Sequence, residues 1–149
     1  MAIYVNQIFH SLQGETLLSG FPSLFIRLAG CNLNCRYCDT IYAKSRENSK
    51  LMNVDEIVVT ASLYTSIHHV TITGGEPLMQ QETFSLIKLL CDAFFVVQVE
   101  TNGSISIAEG DRRARYIVDV KTPSSSQEKS FNLENIKALT SNDEIKFCY

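Results

Sequence analysis

The segment Leu24–Thr40, LFIRLAGCNLNCRYCDT, joins a short apolar stretch to three closely spaced cysteines. Leu24–Leu28 is apolar except for Arg27, which predicts a mostly buried strand. Three cysteines then follow in the pattern C-x-x-x-C-x-x-C: Cys31, Cys35 and Cys38. Thiolates at this spacing can surround one metal centre from a single loop. The segment therefore predicts a strand that ends in a metal-binding loop.

Beyond this loop, short apolar stretches alternate with segments of helical periodicity. Further strands are predicted at His69–Thr73, Phe94–Val99, Tyr116–Val120 and Glu144–Tyr149. Helices are predicted at Val54–Leu63, Gln81–Ala93 and Leu133–Leu139, and polar surface loops at Lys44–Lys50 and Ser124–Lys129. In the second helix, one apolar face is shared by Phe84, Ile87, Leu90, Cys91 and Phe94. Strands that alternate with helices predict a parallel sheet. No repeat or long linker interrupts them, so we expect one domain over residues 1–149.

Four predicted strands are each followed by a polar or glycine-rich cluster of residues. The clusters are Cys31–Thr40, Gly74–Pro77, Glu100–Gly103 and Asp119–Pro123. Parallel α/β sheets bind their ligands at the carboxyl ends of the strands. Because these ends meet at one edge of the sheet, we expect the four clusters to converge on a single site.

The number of clustered cysteines distinguishes between two kinds of metal centre. A structural zinc site normally has four protein ligands. A 4Fe–4S cluster held by three thiolates instead leaves one iron free to bind a substrate or cofactor. A zinc site completed by His10, His68, His69 or Cys148 is the alternative, although none of these lies at a recognisable ligand spacing. We expect Cys91 and Cys148 in the hydrophobic core, and His68 and His69 to be structural or exposed.

The composition excludes several classes of protein. Of the 149 residues, 45% are hydrophobic and 19% charged, which is typical of a globular domain and excludes a disordered chain or a coiled coil. A net charge of −3 argues against a surface that grips duplex nucleic acid. The apolar stretches are shorter than the roughly 20 residues of a membrane span, and Met1–Phe9 lacks the features of a signal peptide. We therefore expect a cytoplasmic protein without direct nucleic-acid or membrane partners, in which clustered cysteines favour metal binding over disulfides.

Two motifs resemble those of the radical S-adenosylmethionine (SAM) superfamily. One is the cysteine triplet with an aromatic residue, Tyr37, before its last cysteine, and the other is TGGEP at Thr73–Pro77. Five stretches are similar to those of the 7-carboxy-7-deazaguanine synthases: FHSLQGE at Phe9–Glu15, Gly20–Cys38, Asp39-Thr40, ETNG at Glu100–Gly103 and DVKTPS at Asp119–Ser124. Together they span nearly the whole chain. The resemblance implies an α/β fold, a partial (β/α) barrel with parallel strands.

The resemblance also implies how the cofactors bind. The three clustered cysteines would hold a 4Fe–4S cluster, and S-adenosylmethionine would bind its open iron. Gly74 and Gly75 would let the backbone approach the methionine moiety, and Glu76 would add an acceptor there. The residues implied in binding S-adenosylmethionine are Tyr37, Cys38, Asp39, Gly75, Asp119, Val120 and Lys121.

The implied substrate is 6-carboxy-5,6,7,8-tetrahydropterin, bound together with Mg²⁺. Arg27 would bind the substrate carboxylate, because a guanidinium can donate two parallel hydrogen bonds to it. The Thr40 hydroxyl would bind Mg²⁺, whose other ligands would come from substrate and water. The residues implied at the pterin edge are Leu12, Gln13, Gly14 and Thr73, with Glu15 as a further candidate.

The implied reaction is ring contraction with loss of ammonia, which yields 7-carboxy-7-deazaguanine for queuosine biosynthesis. A 5′-deoxyadenosyl radical would abstract hydrogen from the substrate, and S-adenosylmethionine would be regenerated. The resemblance also implies an electron donor such as flavodoxin, and a homodimer of the full-length protein. Two alternatives stay open: a glycyl-radical-enzyme activase of the same superfamily, and a non-enzymatic iron–sulfur or zinc module. Because members of the family are longer, we expect the chain to be C-terminally truncated.

Overall fold

The computed structural model describes residues 1–148, and the strands in this range form one seven-stranded sheet. The strands are β1 (Ala2–Leu12), β2 (Pro22–Leu28), β3 (Lys50–Asn53), β4 (His69–Gly74), β5 (Val96–Thr101), β6 (Arg115–Lys121) and β7 (Glu144–Cys148). The helices are α1 (Val54–Ser62), α2 (Glu82–Asp92) and α3 (Glu134–Ala138), with short 3₁₀ turns at Ile41–Ala43, Pro77–Met79 and Pro123–Ser125. The last residue of the predicted strand Glu144–Tyr149 lies outside the described range.

The order of strands across the sheet is β3-β1-β2-β4-β5-β6-β7. From β2 to β7 every neighbouring pair is parallel, which confirms the predicted parallel α/β architecture. The strands β1 and β3 add an antiparallel extension at one edge. Neither was predicted, and Lys50, placed in a surface loop by its polarity, instead begins β3. Four residues are too few for a periodic signal, so β3 is recognisable only by its pairing with β1.

The two faces of the sheet differ in character. Leu24, Ile26 and Leu28 of β2 belong to the hydrophobic core, together with the buried faces of α1 and α2. The alternate residues of β2 point the other way, because successive side chains of a strand lie on opposite faces. Among them Phe25 and Arg27 line a cavity on the concave face. The helices thus cover the apolar face and leave the concave face for a binding site.

Helices α1 and α2 confirm two predictions, but the residues after α2 correct a third. Phe94 was assigned to the apolar face of this helix, whereas its side chain is 92% exposed and its φ is +65°. The helix ends at Asp92, so the helical spacing no longer applies to Phe94. Strand β5 accordingly begins at Val96 rather than Phe94.

Among residues 1–148, no helix is long and apolar enough to cross a membrane.

Candidate active site

The four polar clusters meet at one cavity of about 440 Å³ on the concave face. It lies at the carboxyl ends of β2, β4, β5 and β6, which are consecutive parallel strands in the sheet. The cavity is lined by residues from each predicted cluster: Cys31, Cys35, Cys38, Gly74, Gly75, Thr101, Asn102, Asp119 and Lys121. The convergence expected from the strand order is therefore present.

The cysteine loop forms one wall of the cavity. Cys31, Cys35 and Cys38 are free thiols, each partly buried, and all three line the cavity. Burial raises the pKa of both the Cys31 and the Cys35 thiol, and the Lys121 ammonium offsets part of this effect at Cys35. Burial thus favours the neutral thiols of Cys31 and Cys35, which would ionise on binding a metal centre.

The three thiols are not arranged as a single-ion site. Within residues 1–148, no three His, Cys, Asp or Glu side chains lie close enough together to hold one metal ion. In an iron–sulfur cluster each thiolate binds a different iron, so its ligands lie farther apart than those of one ion. The number and type of these donors fit a cluster with three protein ligands.

The turn after β4 packs directly against the cysteine loop. A Cβ at Gly74, whose φ is +138°, would lie 2.1 Å from the Leu28 carbonyl oxygen. A Cβ at Gly75 would lie 2.2 Å from the carbonyl oxygen of Gly30 and 2.9 Å from the Cβ of Cys31. Both positions therefore require glycine. Gly74 and Gly75 also line the cavity, so a ligand there can contact the turn beside the cysteine loop.

Glu76 does not face the cavity, which corrects its expected role as an acceptor for the cofactor. Its side chain is fully buried and accepts hydrogen bonds from Leu78 N, Thr101 Oγ1 and Asn102 N at 2.9, 2.9 and 2.7 Å. Burial raises the pKa of this carboxyl to about 7, although these hydrogen bonds act in the opposite direction. Glu76 holds the ends of β4 and β5 together.

Charged side chains form two ion pairs at the ends of β6 and β7. Lys121 Nζ and Asp119 Oδ2 are 2.7 Å apart, and Lys146 Nζ lies 2.6 Å from Glu15 Oε2. Asp119 Oδ1 is buried without a hydrogen-bond partner in residues 1–148, so it can accept a bond from a ligand. Cys148, expected in the core, instead lines the cavity with its Sγ 4.0 Å from Asp119 Oδ2. Its position on β7 places it on the concave face.

Arg27 supplies a positive charge on the opposite wall. Its guanidinium lies 5.1 Å from the Phe9 ring centre and 5.5 Å from that of Tyr42, and it donates a hydrogen bond to the Tyr42 hydroxyl. Within the described residues it has no carboxylate partner, and its Nε is buried without a hydrogen bond. A partly buried cation held this way is suited to an anionic ligand.

Glu100 organises the polar residues between these walls. Its carboxylate accepts bonds from Gln13 Nε2 at 3.1 Å and from Thr73 Oγ1 at 2.8 Å. Gln13 Nε2 also lies 3.3 Å from Thr71 Oγ1, which in turn bonds to Ser23. Gln13 and Thr73 are thus held in fixed orientations at the cavity wall.

Asp39 and Thr40 lie at the cavity mouth beside the last cysteine. Thr40 Oγ1 donates to Asp39 Oδ1 at 3.2 Å and is 3.9 Å from Cys38 Sγ. The hydroxyl therefore faces the same space as the thiols.

Most of the residues implicated by the sequence line this cavity, but Leu12, Val120 and, as described above, Glu76 do not. The cavity includes Gln13, Gly14, Arg27, Tyr37, Asp39, Thr40, Thr73, Gly75, Asp119 and Lys121 in addition to the cysteines. Leu12, with a side chain 62% exposed, and Val120, which alternation turns to the other face of β6, are not among its lining residues. His10, His68 and His69 also lie outside it.

Three cavity residues were missed or misplaced in the sequence. Glu100 was noted only as part of a strand-end motif, and Cys148 was assigned to the core. Lys146 alternates with the apolar Ile145 and Phe147 in β7, which places it with Cys148 on the other face of that strand. That alternation was the signal that could have identified both Lys146 and Cys148.

Comparison with known proteins agrees with this geometry. The family profile of the radical SAM superfamily matches residues 25–137. The 7-carboxy-7-deazaguanine synthase of Methanospirillum hungatei is 46% identical over 144 residues, which cover 96% of this chain and 59% of that protein. The synthase of the same name from Chlorobaculum tepidum is 45% identical over 121 residues, covering 81% and 54%. The chain thus spans somewhat more than half the length of these relatives.

A solved structure shows the same fold. The crystal structure of QueE from Escherichia coli matches with a TM-score of 0.69 at 23% identity, covering 99% of this chain and 84% of that one. The strand-end cavity, the cysteine loop and the sequence relatives lead to one assignment. The chain belongs to the radical SAM superfamily and, within it, to the family of the 7-carboxy-7-deazaguanine synthases.

Proposed function

We propose that this chain is the radical SAM core of a 7-carboxy-7-deazaguanine synthase, and that residues 1–149 form one domain. The substrate would be 6-carboxy-5,6,7,8-tetrahydropterin and the products 7-carboxy-7-deazaguanine and ammonia, in the pathway to queuosine. The observation that carries the proposal is one cavity with three free thiols on one wall and, on another, the Arg27 cation, which has no carboxylate partner among residues 1–148. A cofactor and an anionic substrate can therefore meet there.

The cysteine loop and the β4 turn would hold the cofactors. Cys31, Cys35 and Cys38 would bind a 4Fe–4S cluster, and the close-packed Gly74 and Gly75 would leave the backbone free to bind the methionine moiety of S-adenosylmethionine. When bound, the cluster would supply one electron for reductive cleavage of the sulfonium carbon–sulfur bond of S-adenosylmethionine. The residues of this chain position the two groups.

The rest of the cofactor would contact the cysteine loop again and the end of β6. Tyr37 and Asp39 in the cysteine loop line the cavity where the adenine would bind. Asp119, with its unpartnered Oδ1, can accept a bond from a ribose hydroxyl, and Lys121 can pair with the cofactor carboxylate. Val120 would take part through its backbone, since its side chain lies on the other face of β6.

The substrate would bind between Arg27 and the Glu100 network. Arg27 would bind the carboxylate, because its guanidinium has free donors and is fixed by two aromatic rings. Gln13, Gly14 and Thr73 would contact the pterin edge, and Leu12 could add only a backbone contact. The hydrogen bonds from Gln13 and Thr73 to Glu100 would orient them before substrate binds.

We place Mg²⁺ at the Thr40 hydroxyl. Thr40 lines the cavity with Asp39, and an oxygen donor suits Mg²⁺ better than iron. The substrate carboxylate and water would complete the coordination.

The proposal extends to partners and compartment. A cluster with free thiolate ligands favours the reducing cytoplasm, where a flavodoxin-type donor would supply the electron. We also infer that the full-length protein is a homodimer.

The proposal is tested by product formation. Anaerobically reconstituted protein is incubated with S-adenosylmethionine, dithionite, Mg²⁺ and 6-carboxy-5,6,7,8-tetrahydropterin, and deazaguanine product and ammonia are measured. Arg27→Ala should lower kcat/KM about 100-fold, because it removes a charge-assisted pair. Arg112→Ala, which changes an exposed arginine outside the cavity, is the control.

Two outcomes would overturn the proposed activity. Cluster-loaded protein that forms no deazaguanine product would favour a glycyl-radical-enzyme activase or an electron-transfer module. Equal kcat/KM for Arg27→Ala and the control would remove Arg27 from substrate binding.

A further inference from the structure

Three side chains beside the cysteine loop close a ring of hydrogen bonds. Asn32 Nδ2 donates to Ser104 Oγ at 2.8 Å, and Ser104 Oγ donates to Asn102 Oδ1 at 2.6 Å. Asn102 Nδ2 then donates to Asn32 Oδ1 at 3.1 Å, which completes the ring. The Asn32–Asn102–Ser104 ring therefore joins the cysteine loop to the segment that follows β5.

The ring connects to the turn after β4 through Glu76. The backbone N–H of Asn102 donates to Glu76 Oε2 at 2.7 Å, and the backbone N–H of Glu76 donates to the Gly30 carbonyl at 2.8 Å. Gly30 and Asn32 are the two neighbours of Cys31 in the chain. Gly30 is therefore tied to Glu76 and Asn32 to Asn102, and these two partners are hydrogen-bonded to each other.

The cysteine loop is positioned by contacts with other segments, which on the backbone side include hydrogen bonds from Gly30 N to the Ala43 carbonyl at 2.8 Å and from Cys31 N to the Lys44 carbonyl at 3.2 Å. Between the end of β2 at Leu28 and the 3₁₀ turn at Ile41–Ala43 the backbone forms no helix or strand. A loop without its own hydrogen-bond ladder is held by its contacts with neighbouring elements. The ring is the side-chain contact that fixes the residue directly after Cys31.

We propose that Asn32, Asn102 and Ser104 are positioning residues that hold Cys31 at a fixed distance from the Gly74–Glu76 turn. In this arrangement the ring sets how the open iron of the cluster meets the methionine moiety bound at that turn. The inference rests on the three-thiolate cluster and S-adenosylmethionine of the proposed function, and not on the identity of the substrate. Misplacement of reacting groups by about 1 Å can cost on the order of 100-fold in rate.

The ring differs from an ordinary stabilising contact. Asn32 is exposed, so water can replace its two hydrogen bonds at little cost in folding free energy. Asn102 is buried and keeps its backbone bond to Glu76 when Asn32 is changed. Substitution of Asn32 should therefore loosen the loop without unfolding the protein.

The experiment measures S-adenosylmethionine binding to the reconstituted cluster of the Asn32→Ala variant. Iron and sulfide content and the melting temperature should match the wild type. The Kd for S-adenosylmethionine, titrated by the change in the electron paramagnetic resonance (EPR) spectrum of the reduced cluster, should rise about tenfold. The spectrum at saturation should also differ from that of the wild type. Ser104→Ala removes the hydrogen bonds of the Ser104 hydroxyl to Asn32 and Asn102 and should act in the same direction.

Asn34→Ala is the matched control. Asn34 is an exposed asparagine of the same loop whose side chain bonds to Lys44 instead of the ring. The Asn34→Ala variant should bind S-adenosylmethionine with the wild-type Kd and should give the wild-type EPR spectrum.

Three results would overturn the inference. One is wild-type S-adenosylmethionine binding in both Asn32→Ala and Ser104→Ala, and another is an equal effect of Asn34→Ala. A third is failure of Asn32→Ala to assemble the cluster, which would assign the ring to assembly instead of positioning. Failure of the proposed function looks different, because there the wild-type protein itself would show no response to S-adenosylmethionine or no deazaguanine product.

Discussion

The Glu76 carboxyl receives three hydrogen bonds from protein donors and has no exposed surface. Burial makes its ionised form costly, and its pKa rises from an ordinary value of 4.5 to about 7. The residue can therefore titrate near neutral pH while remaining part of the fold. Its titration links folding stability to pH.

We expect the contribution of Glu76 to stability to fall as pH rises from 4.5 to 7. Below this window both folded and unfolded states hold the proton. Within it the unfolded state ionises first, so the free energy of unfolding decreases by about 3 kcal/mol, and above pH 7 it changes no further. Urea unfolding of the cluster-free, reduced wild type and of the Glu76→Gln variant gives the free energy of unfolding of each at every pH. The difference between these two free energies reports the contribution of Glu76. A difference that stays constant across this pH range would contradict the assignment.

Substitution of Thr40 tests whether its hydroxyl binds Mg²⁺. Thr40→Ala should raise the Mg²⁺ concentration needed for half-maximal turnover by about tenfold, since one of few protein ligands is lost. Thr40→Ser, which retains the hydroxyl, should behave as the wild type. The iron content should be unaltered in both, because oxygen is a poor ligand for the cluster. Unchanged Mg²⁺ activation of Thr40→Ala would show that the cation binds elsewhere.

At the scale of elements, the loop between β1 and β2 crosses to the far edge of the sheet. Glu15 pairs with Lys146 of β7, and Leu17 N donates to the Glu144 carboxylate at 3.2 Å. The same loop places Gln13 and Gly14 at the cavity wall. Strand β7 therefore positions a loop that is distant from it in the chain.

Lys146→Ala should make this loop more mobile without affecting the core. The ion pair is partly exposed, so its loss costs at most about 1 kcal/mol. Amide hydrogen exchange of residues 14–20 should accordingly become about three- to fivefold faster, while exchange in β4 and β5 should be unaltered. Lys137→Ala, which removes an exposed pair on α3, is the control. Equal exchange of the loop in both variants would show that β7 does not hold it.

The elements differ in how far the sequence predicts them. The parallel strands β2, β4, β5 and β6 are apolar and end in polar clusters, so both their existence and their common site were predictable. Strand β3 is defined by pairing with β1, which local periodicity does not report. The role of Glu76 depends on donors from residues 101 and 102, and the position of Phe94 depends on where α2 ends. Such features are set by tertiary contacts rather than by local pattern.

At the scale of the whole molecule, sheet topology brings distant segments to one cavity. The cysteine loop follows β2, the glycine turn follows β4, and the charged side chains lie at the end of β6. Consecutive parallel strands place these segments side by side at one edge. The central claim is that this edge holds a cluster through Cys31, Cys35 and Cys38 alone, with one iron left for S-adenosylmethionine.

Anaerobic reconstitution followed by EPR spectroscopy of the reduced protein tests this claim most directly. We predict about four irons per chain and a spectrum that changes when S-adenosylmethionine is added. Alanine at Cys31, Cys35 or Cys38 should abolish the cluster, whereas Cys91→Ala in the core and Cys148→Ala at the cavity should retain both cluster and response. An EPR spectrum that does not change on addition of S-adenosylmethionine, or loss of the cluster in Cys148→Ala, would indicate a fourth protein ligand. Either result would contradict the account.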